Sequence, residues 1–297
     1  MDETSFIAAL RALPLHPGAR GLKDDTAVLE VGGETLVVTH DTMTEGVHWL
    51  PGQDMADVAW KLMAVNLSDL AAMGAEPVGV LLGYQLGGDD SAFIAGLKEA
   101  LEAFDVKLLG GDTVSGSGAR SFGLTAIGRA THRPVPSRSG ARPGDTVWLC
   151  GSVGAAMLGF EALRDGTGAD DTAFRRPAPF LIEGKALAPL VTAMMDVSDG
   201  LLLDATRMAE ASGVTFDLTP QQIPVADLSR LMDCLTWGDD YALLFTSKPE
   251  VNPPVEAHRI GSVIERQACL LLLDGKLPPP DLQLGYRHDP RRSERSD

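Results

Sequence analysis

The chain has 297 residues, 44% hydrophobic and 22% charged, with a formal net charge of −16 and a pI near 4.7. That length suggests about two domains, each able to bury its own core. The acidic balance argues against nucleic acid and anionic membranes as partners, and it means that phosphate handling here would need metal ions as mediators.

The opening MDETSFIAALRALPL reads as a short amphipathic helix, not a signal peptide. TAVLEVGGETLVVTHD reads as a hairpin, two strand-like runs around Gly-Gly. DMADVAWKLMAVNLSDLAAMGA has helical spacing and stops at Gly74. EPVGVLLGYQL is then a strand, SAFIAGLKEALEAFDV a helix, KLLGGD a strand entering a glycine turn, and SFGLTAIGRA a strand. RPVPSRSGARPGD marks a boundary that divides the chain into residues 1–136 and 137–297. Beyond it come the strand TVWLCG and helices around 154–165, 177–194 and 199–211. Strands at 214–218, 241–246, 258–264 and 269–273 complete the second half. Neither half alternates strand and helix strictly, so the fold class is α+β. The tail DPRRSERSD is expected to fray.

Cys150, Cys234 and Cys269 form no C-x-x-C pair and read as reduced thiols. The longest apolar run, ACLLLL at 268–273, is too short to span a bilayer, and a cytoplasmic protein is expected.

The acids are placed unevenly. Asp24 and Asp25 precede a strand, Asp41 ends VVTHD, and Asp69 shares a helical face with Asn66 three residues earlier. Asp112 follows LLGG at the expected turn, Asp196 and Asp199 flank Ser198 at the start of the helix after VTAMM, and Asp239 and Asp240 precede YALLF. Any one of them has a plain reading as a helix cap or turn residue. Asp69 and Asp196, however, lie in apolar sequence, where an unpaired carboxylate is penalised by several kcal/mol. Together the acids suggest convergence on divalent metal, since hard cations such as Mg2+ take oxygen ligands and bridge carboxylates to phosphates. No G-x-x-x-x-G-K-[ST] or G-x-G-x-x-G follows a strand; GGDTVSGSG at 110–118 is only a weak phosphate-binding signal.

Taken in order, GLKDDTAVL, THDTMTEGVHW, AVNLSDLAAMGAEP, LLGGDT, RSGARPGD, DVSDGLLLD and GDDYALLF resemble the thiamine-monophosphate kinase family. That family lies in the superfamily of aminoimidazole ribonucleotide synthetase and selenophosphate synthetase, and the resemblance runs from about residue 5 to Tyr286. It implies a two-domain fold of that superfamily: an N-terminal mixed sheet with helices, dimerising with its twin, and a C-terminal α/β sandwich. It implies direct transfer of the γ-phosphoryl group of ATP to thiamine monophosphate, assisted by several Mg2+ ions, with the nucleotide between the domains.

Carried over by motif, Asp25, Asp41, Asp69, Asp112 and Asp196 would be metal ligands, assisted by Thr39 and His40, and Asp199 would hold a further ion. Phe104, Gly111, Asp112, Arg138 and Ser198 would line the ATP site. His48, Asp239 and Tyr286 would contact thiamine monophosphate, and no residue is needed as a general base. This sequence departs from the family pattern with His40 for Thr or Ser, Asp239 for Glu, Ala242 for a second acid and Phe104 for Tyr. Imidazole is a poor partner for Mg2+ beside oxygen donors.

Two alternatives remain at this point: a superfamily enzyme that uses ATP on another acceptor, and a catalytically silent nucleotide- or metal-binding homologue. Against the first, a selenophosphate synthetase is expected to carry a reactive Cys in an N-terminal Gly-rich loop, and the first Cys here is Cys150. A hydrogenase maturation enzyme of this fold ends in Cys, whereas this sequence ends RRSERSD.

Overall fold

Buried and exposed residues alternate along Glu34–Thr44, the signature of a strand with one covered face. This strand, β2, pairs antiparallel with β1 (Ala27–Val31) across the Gly32-Gly33 turn. The fold is that of a computed structural model and describes residues 3–288. The tail from residue 289 onward, read above as frayed, lies outside the described residues.

β1 and β2 begin a five-stranded sheet in the order β1-β2-β5-β3-β4, with β3 at Ala75–Gln85, β4 at Leu108–Val114 and β5 at Ser121–Ala130. β3 and β4 run parallel and the other neighbours antiparallel, so the sheet is mixed. After a short α1 (Glu3–Leu10), the main helices of this half are α2 (Met55–Ala72) and α3 (Asp90–Ala103), which pack on one another. α2 also lies against β2, β3 and β5.

The second half forms a six-stranded sheet, ordered β11-β8-β10-β6-β9-β7. Its strands are β6 (Thr146–Cys150), β7 (Val191–Asp196), β8 (Thr215–Leu218), β9 (Leu243–Ser247), β10 (His258–Ile264) and β11 (Leu271–Leu273). Its helices are α4 (Ala155–Asp165), α5 (Thr172–Arg175), α6 (Leu181–Leu187), α7 (Leu201–Ser212) and α8 (Leu231–Thr236). Successive strand residues face opposite ways. Leu149, Met195 and Leu244 therefore join the α7 side in one core, while Cys150, Met194, Leu243 and Phe245 turn toward α2 and share the core of the first half.

α2 is thus held between the two sheets, and every residue in it except Ala56 and Trp60 is buried. It touches β7 and α6 as well as the first sheet. The contact with α6 needs a glycine, because a Cβ on Gly184 would stand 2.0 Å from the Ala71 carbonyl oxygen.

Two sequence expectations are corrected. The expected helix over 177–194 is the short α6 followed by strand β7. Its apolar run suits either state, but Pro189 lacks the N–H a helix needs and the ladder with β9 claims Val191–Asp196. Asp196 therefore ends a strand and does not start a helix. KLLGGD does not enter a turn either: β4 continues through Gly110, Gly111 and Asp112 to Val114, in parallel register with β3. The three cysteines are free. No helix among the described residues is long and apolar enough to cross a membrane.

Gly184→Ala is expected to cost about 1–3 kcal/mol, the usual penalty for overpacking a fixed backbone contact. Urea unfolding midpoints measure this; an unchanged midpoint would show that α6 does not lock against α2.

Candidate active site

Three carboxylates from three parts of the chain meet beside α2. One oxygen each from Asp25, Asp69 and Asp196 lies within 4.8 Å of the others. Asp25 comes from the loop before β1, Asp69 from the last turn of α2, and Asp196 from the end of β7. Asp69 accepts a short hydrogen bond from the Thr39 hydroxyl of β2, and Asp196 accepts one of 2.7 Å from Ser68 of α2. Asp25 Oδ1 is held by Arg138, whose Nε is 2.6 Å away, whereas its Oδ2 is buried with no hydrogen-bond partner.

Bringing like charges together out of water disfavours ionisation. Burial, reinforced by Asp41 and then Asp196, holds Asp69 well above the usual carboxylate range. Burial and Asp25 do the same to Asp196, and burial raises Asp25 against the opposing pull of Arg138. Asp41 is pushed up to about 6, chiefly by burial. Its backbone N–H donates to Asn66 Oδ1 at 2.9 Å, so the Asn66–Asp69 face of α2 grips two successive inward positions of β2. An all-oxygen donor set with an orphaned buried carboxylate oxygen fits a hard divalent cation such as Mg2+.

The segment after β7 is shaped by an acid with a different task. Asp204, fully buried in α7, accepts the backbone N–H groups of Ser198 at 3.1 Å and Asp199 at 3.0 Å through Oδ2. Arg207 joins Asp204 Oδ1 at 2.9 Å to Asp199 Oδ2 at 2.5 Å. Burial raises Asp204 to about 6. Of the acids in DVSDGLLLD, Asp196 faces the carboxylate group, Asp199 pairs with arginine, and Asp204 secures the loop.

That loop also bonds two of the three residues expected to meet the acceptor. The backbone N–H of Asp239 donates to the Ser198 carbonyl at 2.7 Å, and that of Tyr286 to the Asp199 carbonyl at 2.8 Å. The close approach requires Gly238, at φ 99°, where a Cβ would meet the Ser198 carbonyl oxygen at 2.6 Å. Tyr286 packs edge-on against His288, which in turn lies 5.8 Å from the His48 ring. His48 Nδ1 accepts the Thr44 N–H at 2.9 Å, so the neutral ring carries its proton on Nε2. Burial lowers the His48 pKa and favours that neutral form.

Other expected residues are not brought to the carboxylate group. His40 neighbours Asp41 in β2 and so points to the opposite face, where its ring is 2.9 Å from the Thr125 hydroxyl and 3.3 Å from that of Thr42. Phe104 ends α3 and packs against Trp60, nine residues before Asp69 and so about 13 Å away along the axis of α2. Gly111 pairs with Leu82, and Asp112 is exposed on the edge strand β4. Sequence reasoning missed Lys61, Ser68, Asp204, Arg207 and His288. For Lys61 a signal was available, a lysine among the buried positions of an otherwise apolar helix; His288 had none.

The chain resembles known proteins over most of its length. Residues 23–130 match AIR synthase related protein, N-terminal domain, and residues 142–269 match AIR synthase related protein, C-terminal domain. The thiamine-monophosphate kinase of Escherichia coli (strain K12) is 37% identical over 258 residues, 78% of this chain and 77% of its own. That of Caulobacter vibrioides is 33% identical over 303 residues, 92% of this chain and 86% of its own. The solved structure of AaThiL complexed with AMPPCP and TMP superposes with a TM-score of 0.83 at 28% identity, covering 97% of both chains.

The raised carboxylates fix the sign of a pH effect. A group whose folded pKa exceeds its unfolded value binds more protons in the native state, so its contribution to stability falls as pH rises through that interval. For Asp41 the interval runs from 3.8 to about 6; Asp69 starts from the same value and extends well above it. In chelator, the difference in thermal midpoint between wild type and Asp69→Asn is expected to move in the variant's favour from pH 5 to 7.5. Added Mg2+ is expected to raise the wild type more than the variant at pH 7.5. A shift of opposite sign would mean that burial and the neighbouring acids do not raise Asp69.

Proposed function

The chain belongs to the thiamine-monophosphate kinase family of AIR synthase related proteins, and from that we propose that it transfers the γ-phosphoryl group of ATP to thiamine monophosphate, giving thiamine diphosphate and ADP. The observation that carries the reading is the buried group Asp25, Asp69 and Asp196, drawn from both halves, with an orphaned oxygen on Asp25. A protein with no ligand to place there would be burdened with several kcal/mol of uncompensated carboxylate burial. That a related protein was solved with an ATP analogue, AMPPCP, and TMP supports the same pair of substrates.

In this proposal Asp25, Asp69 and Asp196 hold divalent cation, with Asp41 and Asp199 flanking them and Thr39 fixing Asp69 by its hydroxyl. Magnesium bound there supplies charge neutralisation and alignment of the two phosphate groups for in-line transfer. Arg138 and Ser198 serve the nucleotide in this reading. His48, Asp239 and Tyr286 form the acceptor side, with the Nε2 proton of His48 available to a phosphate oxygen. No general base is required, because a phosphate monoester with a second pKa of about 6 is mostly dianionic at neutral pH. His40 has no part in the ligand set, since its ring lies on the other face of β2.

The proposal includes a division at 136/137, a homodimer and a cytoplasmic location. Supporting the dimer, β3 and β4 display Val78, Leu81, Leu108, Leu109 and Val114 to solvent, an apolar surface suited to a second copy. Asp112, Gly111 and Phe104 lie in this outer part of the first half, and their expected roles in ion and nucleotide binding remain part of the reading.

Purified protein with ATP, Mg2+ and thiamine monophosphate is expected to release thiamine diphosphate and ADP in equal amounts, and neither in chelator. ADP without thiamine diphosphate would redirect the reading to another acceptor. Asp69→Asn and Asp196→Asn are each expected to lower kcat by about 10²–10³-fold while the protein stays folded; near-wild-type rates would remove the carboxylate group from the chemistry. Sedimentation is expected to give a dimer.

A further inference from the structure

Lys61 is the only lysine in α2 and its side chain is 1% exposed. Its ammonium has a defined set of neighbours. It donates to the His48 carbonyl at 3.0 Å and to Asp239 Oδ2 at 2.5 Å, and it sits 3.7 Å above the centroid of the Phe174 ring. An ammonium has three donors and no acceptor; here two are committed to oxygens and the remaining side is closed by the aromatic face. Lys61 therefore has no free face with which to touch a substrate.

Its partners are nevertheless two of the acceptor-side residues, and they come from different halves of the chain. Asp239 is held at every point. Oδ2 meets Lys61, Oδ1 accepts the Tyr241 hydroxyl at 2.7 Å, and its N–H bonds to Ser198. Its backbone sits at φ 63°, a left-handed conformation that a non-glycine residue keeps only when its surroundings enforce it. His48 is fixed from the other side by Thr44.

We infer that Lys61 is the positioning residue of the acceptor site, its buried ammonium setting the separation and orientation of His48 and Asp239. The inference rests on the kinase reading. Lys61 acts on binding of the acceptor through these two groups; its partners, the His48 carbonyl, Asp239 and the Phe174 ring, are none of the residues assigned to the nucleotide. Lysine suits the task because its compact ammonium on a flexible stem can aim separate N–H groups at two oxygens from different elements.

The test is a steady-state comparison of wild type, Lys61→Met, Asp239→Asn and the double variant, with KM read separately for each substrate. Lys61→Met is expected to raise KM for thiamine monophosphate at least tenfold while KM for ATP stays within twofold. The double variant is expected to be no worse for the acceptor than Asp239→Asn, because the lysine works through the carboxylate. If Lys61→Met does not fold, Phe174→Leu removes the ring beneath the ammonium and is expected to raise the acceptor KM severalfold at constant ATP KM. Equal changes in both KM values, additive effects in the double variant, or an unchanged acceptor KM would each overturn the inference alone. No turnover of thiamine monophosphate by wild type would overturn the functional reading and this inference with it.

Discussion

A polar side chain buried in an apolar helix has to find its partner in another element, and α2 carries five such side chains. Asp57 receives Arg175 and Arg176 from α5 and its end; Lys61 receives Asp239; Asn66 receives the backbone of Asp41; Ser68 receives Asp196; Asp69 receives Thr39. Each unmade bond would cost about 1–3 kcal/mol, and more for the charged groups. The helix therefore cannot be docked in an approximate way. The apolar residues between these five fill the space between the sheets, and the five decide which strand ends and loops arrive there. The site is assembled as a by-product of satisfying them.

The carboxylate group inverts that logic. Asp25, Asp69 and Asp196 have some partners, but not enough to offset their burial and mutual repulsion, and all three are held above the ordinary acid range. Arg138 and the hydroxyls of Thr39 and Ser68 compensate in part. What remains uncompensated is a standing preference for positive charge at one point. The rest of α2 supplies the rigidity that keeps three mutually repelling carboxyl groups together.

Much of this was readable in the residues. The order of motifs identified the family, the hairpin and α2 followed from periodicity, and the apolar setting of Asp69 and Asp196 marked them as unusual. Other features depended on pairing that no local pattern records. LLGGDT looks like a turn because of its glycines, yet it is a strand because β3 offers it a parallel ladder. ALAPLVTAMMD looks helical apart from Pro189, and becomes β7 because β9 pairs with it. Asp204 closes the same acidic segment as Asp196 and Asp199, but three-dimensional proximity gives it two backbone N–H groups and an arginine. The position of His40 was within reach of sequence reasoning: once VVTHD is a strand, His40 and Asp41 must face opposite ways.

The core around α2 draws on both halves, with Cys150, Met194, Leu243 and Phe245 packing beside residues of the first sheet. This has a consequence for biogenesis. The ribosome delivers α2 and its buried charges well before the strands that cover them, so the nascent first half carries an open apolar seam studded with unpaired polar groups. Long-range closure of this kind slows folding and leaves such surface exposed to association meanwhile. The two halves are thus distinct in architecture yet mutually dependent in maturation, and neither completes its interior until β9 has been synthesised.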